Sequence, residues 1–265
     1  MATLRRQLVS KYIITSILGS GTESKVYDAV DVKTGESVAI KHAVIKTKEL
    51  DYLTKAKDVV GVPKVYETIN LGAHSIVYVL TKMPNTCELY YYMQPMSGTI
   101  TLTEDKARHI FKQLVKIVVD LKDVGVLHGD IKHENIVINT KTHDIMLIDF
   151  GGAMDYQEDK HYTETCGTYD YYPPELFKQG WYTADSLNVW TLGLVLYMLL
   201  CNIDPIDSSE NTPILKPYKR RYKRLLKPVQ QTTIDFIESM LSDIDTRLTL
   251  QQVYDHDWFK HPFSI

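Results

Sequence analysis

Between Leu127 and Gly151, in the stretch LHGDIKHENIVINTKTHDIMLIDFG, two carboxylates, one amide and one lysine stand at fixed spacings. Asp130, Lys132 and Asn135 fall on a loop. An apolar run follows, Ile136 to Ile138, then turn residues around Thr140 to His143, then a second apolar run, Ile145 to Ile148, ending in Asp149-Phe150-Gly151. Short apolar runs divided by turn-forming residues predict loop, strand, turn, strand, loop. A hairpin of this length folds the end of its second strand back beside the start of its first, which lets Asp130, Asn135 and Asp149 converge. Such a trio suits phosphoryl transfer, where a protein must orient a nucleophile and hold a cation against phosphate oxygens. Magnesium is commonly held by one or two carboxylates plus the substrate's own phosphates. An ordinary acidic hairpin is the alternative.

Taken in order, Asp130 with Asn135 and then Asp149-Phe150-Gly151 resemble the catalytic loop H-R-D-x-x-x-x-N and the metal loop D-F-G of the eukaryotic protein-kinase superfamily. The resemblance implies an α+β, bilobal protein-kinase fold with a small β-rich N-lobe and a larger helical C-lobe. It implies one domain over residues 1–265, with the N-lobe at about 1–82, the hinge at about 81–85 and the C-lobe at about 86–265. ATP and Mg²⁺, with Mn²⁺ as an alternative, are the cofactors it carries. On this resemblance Asp130 accepts the substrate hydroxyl proton, Lys132 steadies the transferred phosphoryl, and Asn135 and Asp149 are the metal ligands.

The remaining elements read as parts placed around that loop. Tyr12 to Leu18 is β-branched and apolar, runs into Gly19-Ser20-Gly21-Thr22-Glu23-Ser24, and is answered by a returning strand, Lys25 to Asp31. The backbone of a glycine-rich tip can approach a triphosphate closely because Gly19 and Gly21 carry no side chain. A plain turn is the alternative until Val38-Ala39-Ile40-Lys41 is added; together they match the Gly-rich loop and the strand lysine that holds the α/β-phosphates. Leu50, Leu53 and Ala56 recur at helical spacing between Lys46 and Lys57. Glu49 there matches the helix glutamate that pairs with Lys41, a solvated glutamate being the alternative, and only seven residues between Lys41 and Glu49 predict a short helix.

Val59 to Asn70 and Ser75 to Lys82 read as the last strands of a mixed, half-buried sheet. Leu80 matches the back of the adenine pocket and Thr81 to Pro84 the hinge, where Pro84 lacks an amide hydrogen and so removes one donor to the base. Leu18, Gly19, Ser20, Gly21, Val26, Ala39, Lys41, Glu49, Leu80, Lys82, Glu88 and Val137 make up the implied nucleotide site. Glu104 to Gly125 is an amphipathic helix with Ala107, Ile110, Phe111, Leu114, Ile117, Val118 and Leu121 on one face and Gly125 as its stop. Ile234, Ile237, Met240 and Leu241, then Val253, Tyr254 and Trp258, predict two closing helices. Val189 to Leu200 reads as a buried helix too short to cross a bilayer.

Three departures from the family pattern matter. Ser24 replaces the third glycine of the Gly-rich loop. Gly129 replaces the arginine that, in the family, binds an activating phosphate, which implies constitutive activity without phosphorylation of the loop from Gly152 to Tyr172. That loop carries Asp155, Glu158, Asp159 and Glu164, which would repel an added phosphate. Asn188 replaces an aspartate before V-W-x-x-G, its amide still able to accept one bond from the catalytic-loop backbone. Cys166-Gly167-Thr168 fits the G-T element, with Thr168 on Asp130 and Lys132, and this pairing resembles Ser/Thr-specific enzymes. Pro173-Pro174-Glu175 matches A-P-E, its glutamate pairing with Arg247. Leu80 to Met93 and the double proline resemble Pim-type kinases, and the reduced build resembles the compact kinases of large DNA viruses, including baculoviruses.

Glu88 and Glu134 stand where basophilic kinases place acids that flank an upstream arginine, which implies basic, Arg-rich protein substrates; solvated glutamates, or a ribose role for Glu88, are the alternative. Lys216 to Lys227 holds seven basic residues and no acid, either a solvated face or a docking patch for an acidic partner. A net charge of -3 argues against a whole-protein nucleic-acid binder or a membrane-surface protein. Cys87, Cys166 and Cys201, odd in number and without metal spacing, fit a reducing cytoplasmic or nuclear setting. The N-terminus lacks a signal-peptide core and a myristoylation glycine, and 265 residues are filled by the kinase pattern with none left for a regulatory module. A pseudokinase that binds nucleotide without chemistry is the second class; Lys41, Asp130, Asn135 and Asp149, all present, favour the enzyme.

Overall fold

The computed structural model describes residues 11–20, 24–43, 48–71, 75–94, 102–201 and 229–260. Gly21, residues 46 and 47 of the first helical stretch, and the basic run 216–227 lie outside them. Strand alternation organises the N-terminal layer, because successive residues face opposite sides of a sheet. In β3 (Ser37–Ala43), Val38 and Ile40 are buried on one face while Ala39, Lys41 and Ala43 point to the other. With β1 (Tyr12–Ser20), β2 (Ser24–Asp31), β4 (Val65–Asn70) and β5 (Ile76–Thr81) it forms one sheet in the order β1-β2-β3-β5-β4. Every pairing is antiparallel, which corrects the mixed sheet expected above: β1, β2 and β3, and then β4 and β5, follow one another closely in sequence and pair with their direction reversed, while β3 meets β5 only after α1 and β4.

The outer face of this sheet closes a small core of Tyr12, Ala29, Val38, Ile40, Val77 and Val79. Its inner face, with Ala43, Tyr78 and Leu80, joins the core that fills the C-lobe. Helix α1 (Glu49–Lys55) is short, as the tight connection predicted, and buries Glu49, Tyr52 and Leu53. Val59 to Lys64 is not strand. Gly61 takes φ +86°, a Cβ there would stand 2.5 Å from Ile117 Cδ1, and Gly61 O accepts the Leu147 amide at 2.8 Å. Val59 and Val62 therefore reach the core from turns rather than by strand alternation.

Two short elements, β6 (Thr86–Glu88) and α2 (Leu89–Met93), precede the twenty-residue α3 (Glu104–Asp123). Helix α3 buries the whole predicted face, and Gly125 beyond it adopts φ +74°, the left-handed stop that glycine permits. It delivers the chain to β7 (Val126–Leu127), β8 (Ile136–Asn139), β9 (Ile145–Leu147) and β10 (Met154–Asp155). Strands β6, β8 and β9 form one sheet, and β10 pairs with β7. Helices α4 (Pro174–Gln179), α5 (Ala184–Cys201), α6 (Gln231–Met240) and α7 (Leu250–Tyr254) complete the described C-lobe. Tyr254, counted on the closing apolar face, is 38% exposed instead.

Among the described residues α5 is the one helix long and apolar enough to cross a membrane. The run Val189 to Leu200 is by itself too short to span a bilayer; the helix is longer than that run, and 94% of it is buried inside the protein. A helix that is apolar all round needs such surroundings.

Candidate active site

The catalytic loop is built around a neutral histidine. Asp130 N donates to His128 Nδ1 (3.3 Å), which leaves Nε2 to donate to Ile148 O (3.1 Å). His128 is buried with its ring edge-on to Phe150, centroids 4.7 Å apart, and burial pulls its pKa down. It is the packed core histidine that ties the catalytic loop to the metal loop.

A single turn of 3-10 helix, His133–Asn135, swings Asn135 back onto Asp130. Asn135 Nδ2 donates to Asp130 O and to Asp130 Oδ2, both at 2.8 Å. Thr168 donates to Asp130 Oδ1 from its amide (2.8 Å) and its hydroxyl (2.7 Å). Lys132 Nζ lies 3.0 Å from Asp130 Oδ2 and 2.5 Å from Thr168 Oγ1. Four donors thus meet a carboxylate with about four lone-pair sites. Burial pushes the Asp130 carboxyl up, but Thr168 and Lys132 outweigh it and hold the group below the usual carboxylate range. It is ionised at neutral pH.

The metal loop carries Asp149 in the left-handed region, φ +64°, which turns its half-exposed carboxylate into the cleft. Lys41 Nζ bonds Asp149 Oδ1 at 2.8 Å and Glu49 Oε1 at 2.7 Å. Glu49 is therefore buried and paired, not solvated. Burial opposes a charged Lys41, but the two carboxylates raise its pKa above the ordinary value. For Asp149 the upward push of burial is overcome by the Lys41 ammonium, and its pKa falls. A buried charge needs this kind of compensation.

Register places several of the residues expected at the nucleotide in two rows. Gly19, Val26 and Lys41 are successive cross-strand partners, and so are Asp28, Ala39 and Leu80. Val137 is half-buried on β8 opposite Glu88, and Leu18 is 44% exposed. Ser20 ends β1. Lys82 Nζ turns up to Asp28 Oδ1 at 2.6 Å, so its side chain braces the hinge against β2. Met83 O accepts from Thr86 Oγ1 (3.2 Å) on the far side of Pro84.

Asn135 Nδ2 is spent on Asp130, which leaves Asn135 Oδ1 and the Asp149 carboxylate as oxygen donors on segments joined by the Ile148 N to Asn135 O bond at 2.8 Å. Among the described residues no group of three or more His, Cys, Asp or Glu could hold a metal by itself. One carboxylate plus one amide oxygen, completed by phosphate oxygens, is a hard donor set that fits Mg²⁺ or Mn²⁺.

Glu88 stands at the end of β6 and caps α2. Burial pushes its carboxyl up, and the charge of Glu134 adds to that, so the two lie within each other's field. Glu134 is 44% exposed in its side chain, with His133 Nδ1 at 3.4 Å.

Several features were not legible in the sequence. Gly129 has φ +78°, and a Cβ there would stand 2.2 Å from Gly152 O; a Cβ on Gly167 would stand 2.3 Å from Gly129 O. Gly129 therefore admits backbone packing that an arginine would prevent. Asp155, expected to repel a phosphate, is paired with Lys55 of α1 at 2.5 Å. Asn188 is buried, but among the described residues its side chain makes no hydrogen bond with the catalytic loop; its backbone oxygen accepts from Thr191 Oγ1 at 3.0 Å. The expected Glu175–Arg247 pair forms with two bonds, 2.6 and 2.9 Å, and the guanidinium lies 4.9 Å from the Trp190 ring.

Residues 12–259 match the protein kinase domain family, and the chain belongs to that family. Membership carries with it ATP and a divalent metal in general terms. The chain is 28% identical to the CBL-interacting serine/threonine-protein kinase 17 of Arabidopsis thaliana, over 97% of this chain and 61% of that protein. It is 27% identical to the human SNF-related serine/threonine-protein kinase, over 96% and 34%, and 29% identical to the maternal embryonic leucine zipper kinase of Xenopus laevis, over 97% and 40%. The chain spans between about a third and three-fifths of the length of these relatives.

Proposed function

We propose that the chain transfers the γ-phosphate of ATP, with Mg²⁺, to serine and threonine hydroxyls of basic, Arg-rich proteins, and does so without phosphorylation of its activation segment. The observation that carries the reading is the Lys41 ammonium bonded to both Glu49 and Asp149 above an Asp130 carboxylate gripped by Thr168, Lys132 and Asn135. Lys41 holds the α/β-phosphates, and Glu49 fixes where Lys41 points. When bound, the metal neutralises phosphate charge; Asp149 and Asn135 are the residues that hold it. Asp130, kept below the usual carboxylate range, is a weak base, so its main task is to accept and aim the substrate hydroxyl. Its oxygens are saturated without substrate, and the hydroxyl enters at Oδ2 as Lys132 turns to the transferred phosphoryl.

The Arg preference rests on Glu88, whose charged form burial and then Glu134 disfavour, and on Glu134 beside it; a guanidinium between them would answer both charges, and charge-assisted bonds of that kind are about twice as strong as neutral ones. Phosphate independence is supported by Gly129 and by the Lys55–Asp155 pair, a carboxylate where a phosphate would otherwise reach α1. Within the family, Pro84 and Pro173-Pro174-Glu175 support a likeness to the Pim-type kinases, and the short α1 supports one to the compact viral kinases. Three free thiols, Cys87, Cys166 and Cys201, support a cytoplasmic or nuclear setting, and the basic run 216–227 is offered as a docking patch for an acidic partner.

Labelled ATP with arrayed peptides tests the reading. Transfer to Ser/Thr peptides should rise with arginine upstream of the acceptor, and Glu134→Ala should remove that gain. Phosphatase pretreatment should leave the rate nearly flat. No transfer to any peptide or protein sinks the enzyme; transfer indifferent to arginine sinks the specificity alone.

A further inference from the structure

The activation segment lacks a phosphate receptor at Gly129, yet it is anchored at both ends by buried phenols. Tyr162 and Tyr182 exchange backbone hydrogen bonds at 2.8 and 3.0 Å. Tyr162 Oη donates to Asp155 O (2.7 Å) and accepts from Gln157 N (2.9 Å), and Tyr182 Oη donates to Glu164 O (2.7 Å). Tyr172 Oη accepts the Gly167 amide at 2.8 Å. The three rings are each at most 2% exposed and form one cluster with Leu127, Ala184 and Leu187. Tyr162 and Tyr182 stack at 5.6 Å, and Tyr172 tilts onto Tyr182 at 5.6 Å.

The Tyr172 bond falls one residue before the group that grips the catalytic carboxylate. Residue 167 must be glycine, because Gly129 O lies 2.3 Å from where a Cβ would stand. Glycine loses the most conformational freedom on ordering, so nothing in its own side chain sets the peptide that leads into Thr168. A hydrogen bond from outside must set it, and Tyr172 supplies one.

We propose that Tyr172 is a positioning residue for phosphoryl transfer: by accepting the Gly167 N–H it fixes the 166–167 peptide and so aims Thr168 at Asp130, while Tyr162 and Tyr182 anchor the outer half of the segment. The phenols do by burial what a bound phosphate would do by charge. This rests on the kinase reading above.

Tyr172→Phe keeps the ring and removes the hydroxyl that accepts the Gly167 N–H. The kcat should fall about threefold to tenfold, the rate equivalent of one net hydrogen bond, with the KM for ATP unchanged and Tm within about 3 °C of the parent. In a Thr168→Ala background the same change should lower kcat by less than about twofold, since coupled residues are not additive. Amide exchange over residues 163–172 should quicken in Tyr172→Phe. Parental kcat in Tyr172→Phe, or full multiplication of the two losses in the double variant, overturns the role. If the parent transfers no phosphate, the kinase reading fails alone, and unchanged exchange at Gly167 and Thr168 then overturns the positioning role independently.

Discussion

At the scale of single residues, Asp130 shows how hydrogen bonding sets chemistry. Oδ1 receives two donors from Thr168 and Oδ2 receives Asn135 and Lys132, so an amide at this position faces a donor with whichever atom its nitrogen occupies. Asp130→Asn should reduce transfer by about 10²–10⁴-fold while ATP binding by titration stays near parental; parental turnover would remove Asp130 from its role. The shifts of the neighbouring groups fix the pH response. Asp130 and Asp149 are held below their ordinary value of 3.8, so what they contribute to stability is present above that value and is lost only as pH falls through the lower, folded value. Lys41 is raised above 10.5, so its contribution is complete below that value and is lost as pH rises through the higher one. Burial raises Glu49 above its ordinary 4.5, so Glu49 sets the acidic edge, and kcat should be flat from about pH 7 to 9. A limb centred between about pH 7 and 9 would show that another group controls the rate.

At the scale of elements, the catalytic loop, the metal loop and the activation segment meet at backbone. Gly129, Gly152 and Gly167 are pressed so closely that a Cβ on Gly129 would lie 2.2 Å from Gly152 O, and one on Gly167 2.3 Å from Gly129 O. Restoring arginine at position 129 should not install a phosphate switch. Gly129→Arg places a bulky residue at φ +78°, a strain of about 1–3 kcal/mol before any clash, and pushes Gly152 away from the loop. We expect more than tenfold loss of kcat that phosphorylation does not repair. Recovery of activity on phosphorylating the variant would refute the packing argument. The same closeness gives α1 its task, for so short a helix is held at both ends, by Lys41–Glu49 and Lys55–Asp155.

At the scale of the whole molecule, the buried helix α5 and the buried Glu175–Arg247 ion pair tie elements of the described C-lobe together. Arg247 reaches Glu175 with two bonds, Ser186 O at 3.0 Å and Ser242 O at 2.9 Å, joining α4, α5 and the turn before α7. Removing one partner strands the other charge, so Glu175→Ala should cost about 3–5 kcal/mol, or roughly 6–20 °C in Tm. Calorimetry that found a change under 1 kcal/mol would make the pair ornamental. The loss should reach activity too, since α4 begins one residue after Pro173 and two after Tyr172.

How much of this was legible followed from the range of the forces involved. The catalytic hairpin, the apolar face of α3, the buried α5 and the positions of Lys41, Asp130, Asn135 and Asp149 were all readable, because periodicity and short motif spacing are local properties of the chain. The pairing of Glu49 with Lys41 and of Glu175 with Arg247 was inferred from resemblance, and only packing turned those into distances. The antiparallel order β1-β2-β3-β5-β4, the turns at Val59 to Lys64, the bracing of Lys82 by Asp28 and the Tyr162–Tyr172–Tyr182 cluster were not readable. Each depends on residues far apart in sequence that meet only when two layers close. A glycine in place of an arginine at position 129 could be seen in the sequence as a group lost. That it is also space used became visible only once Gly152 and Gly167 were packed against it, because excluded volume belongs to the fold and not to the residue.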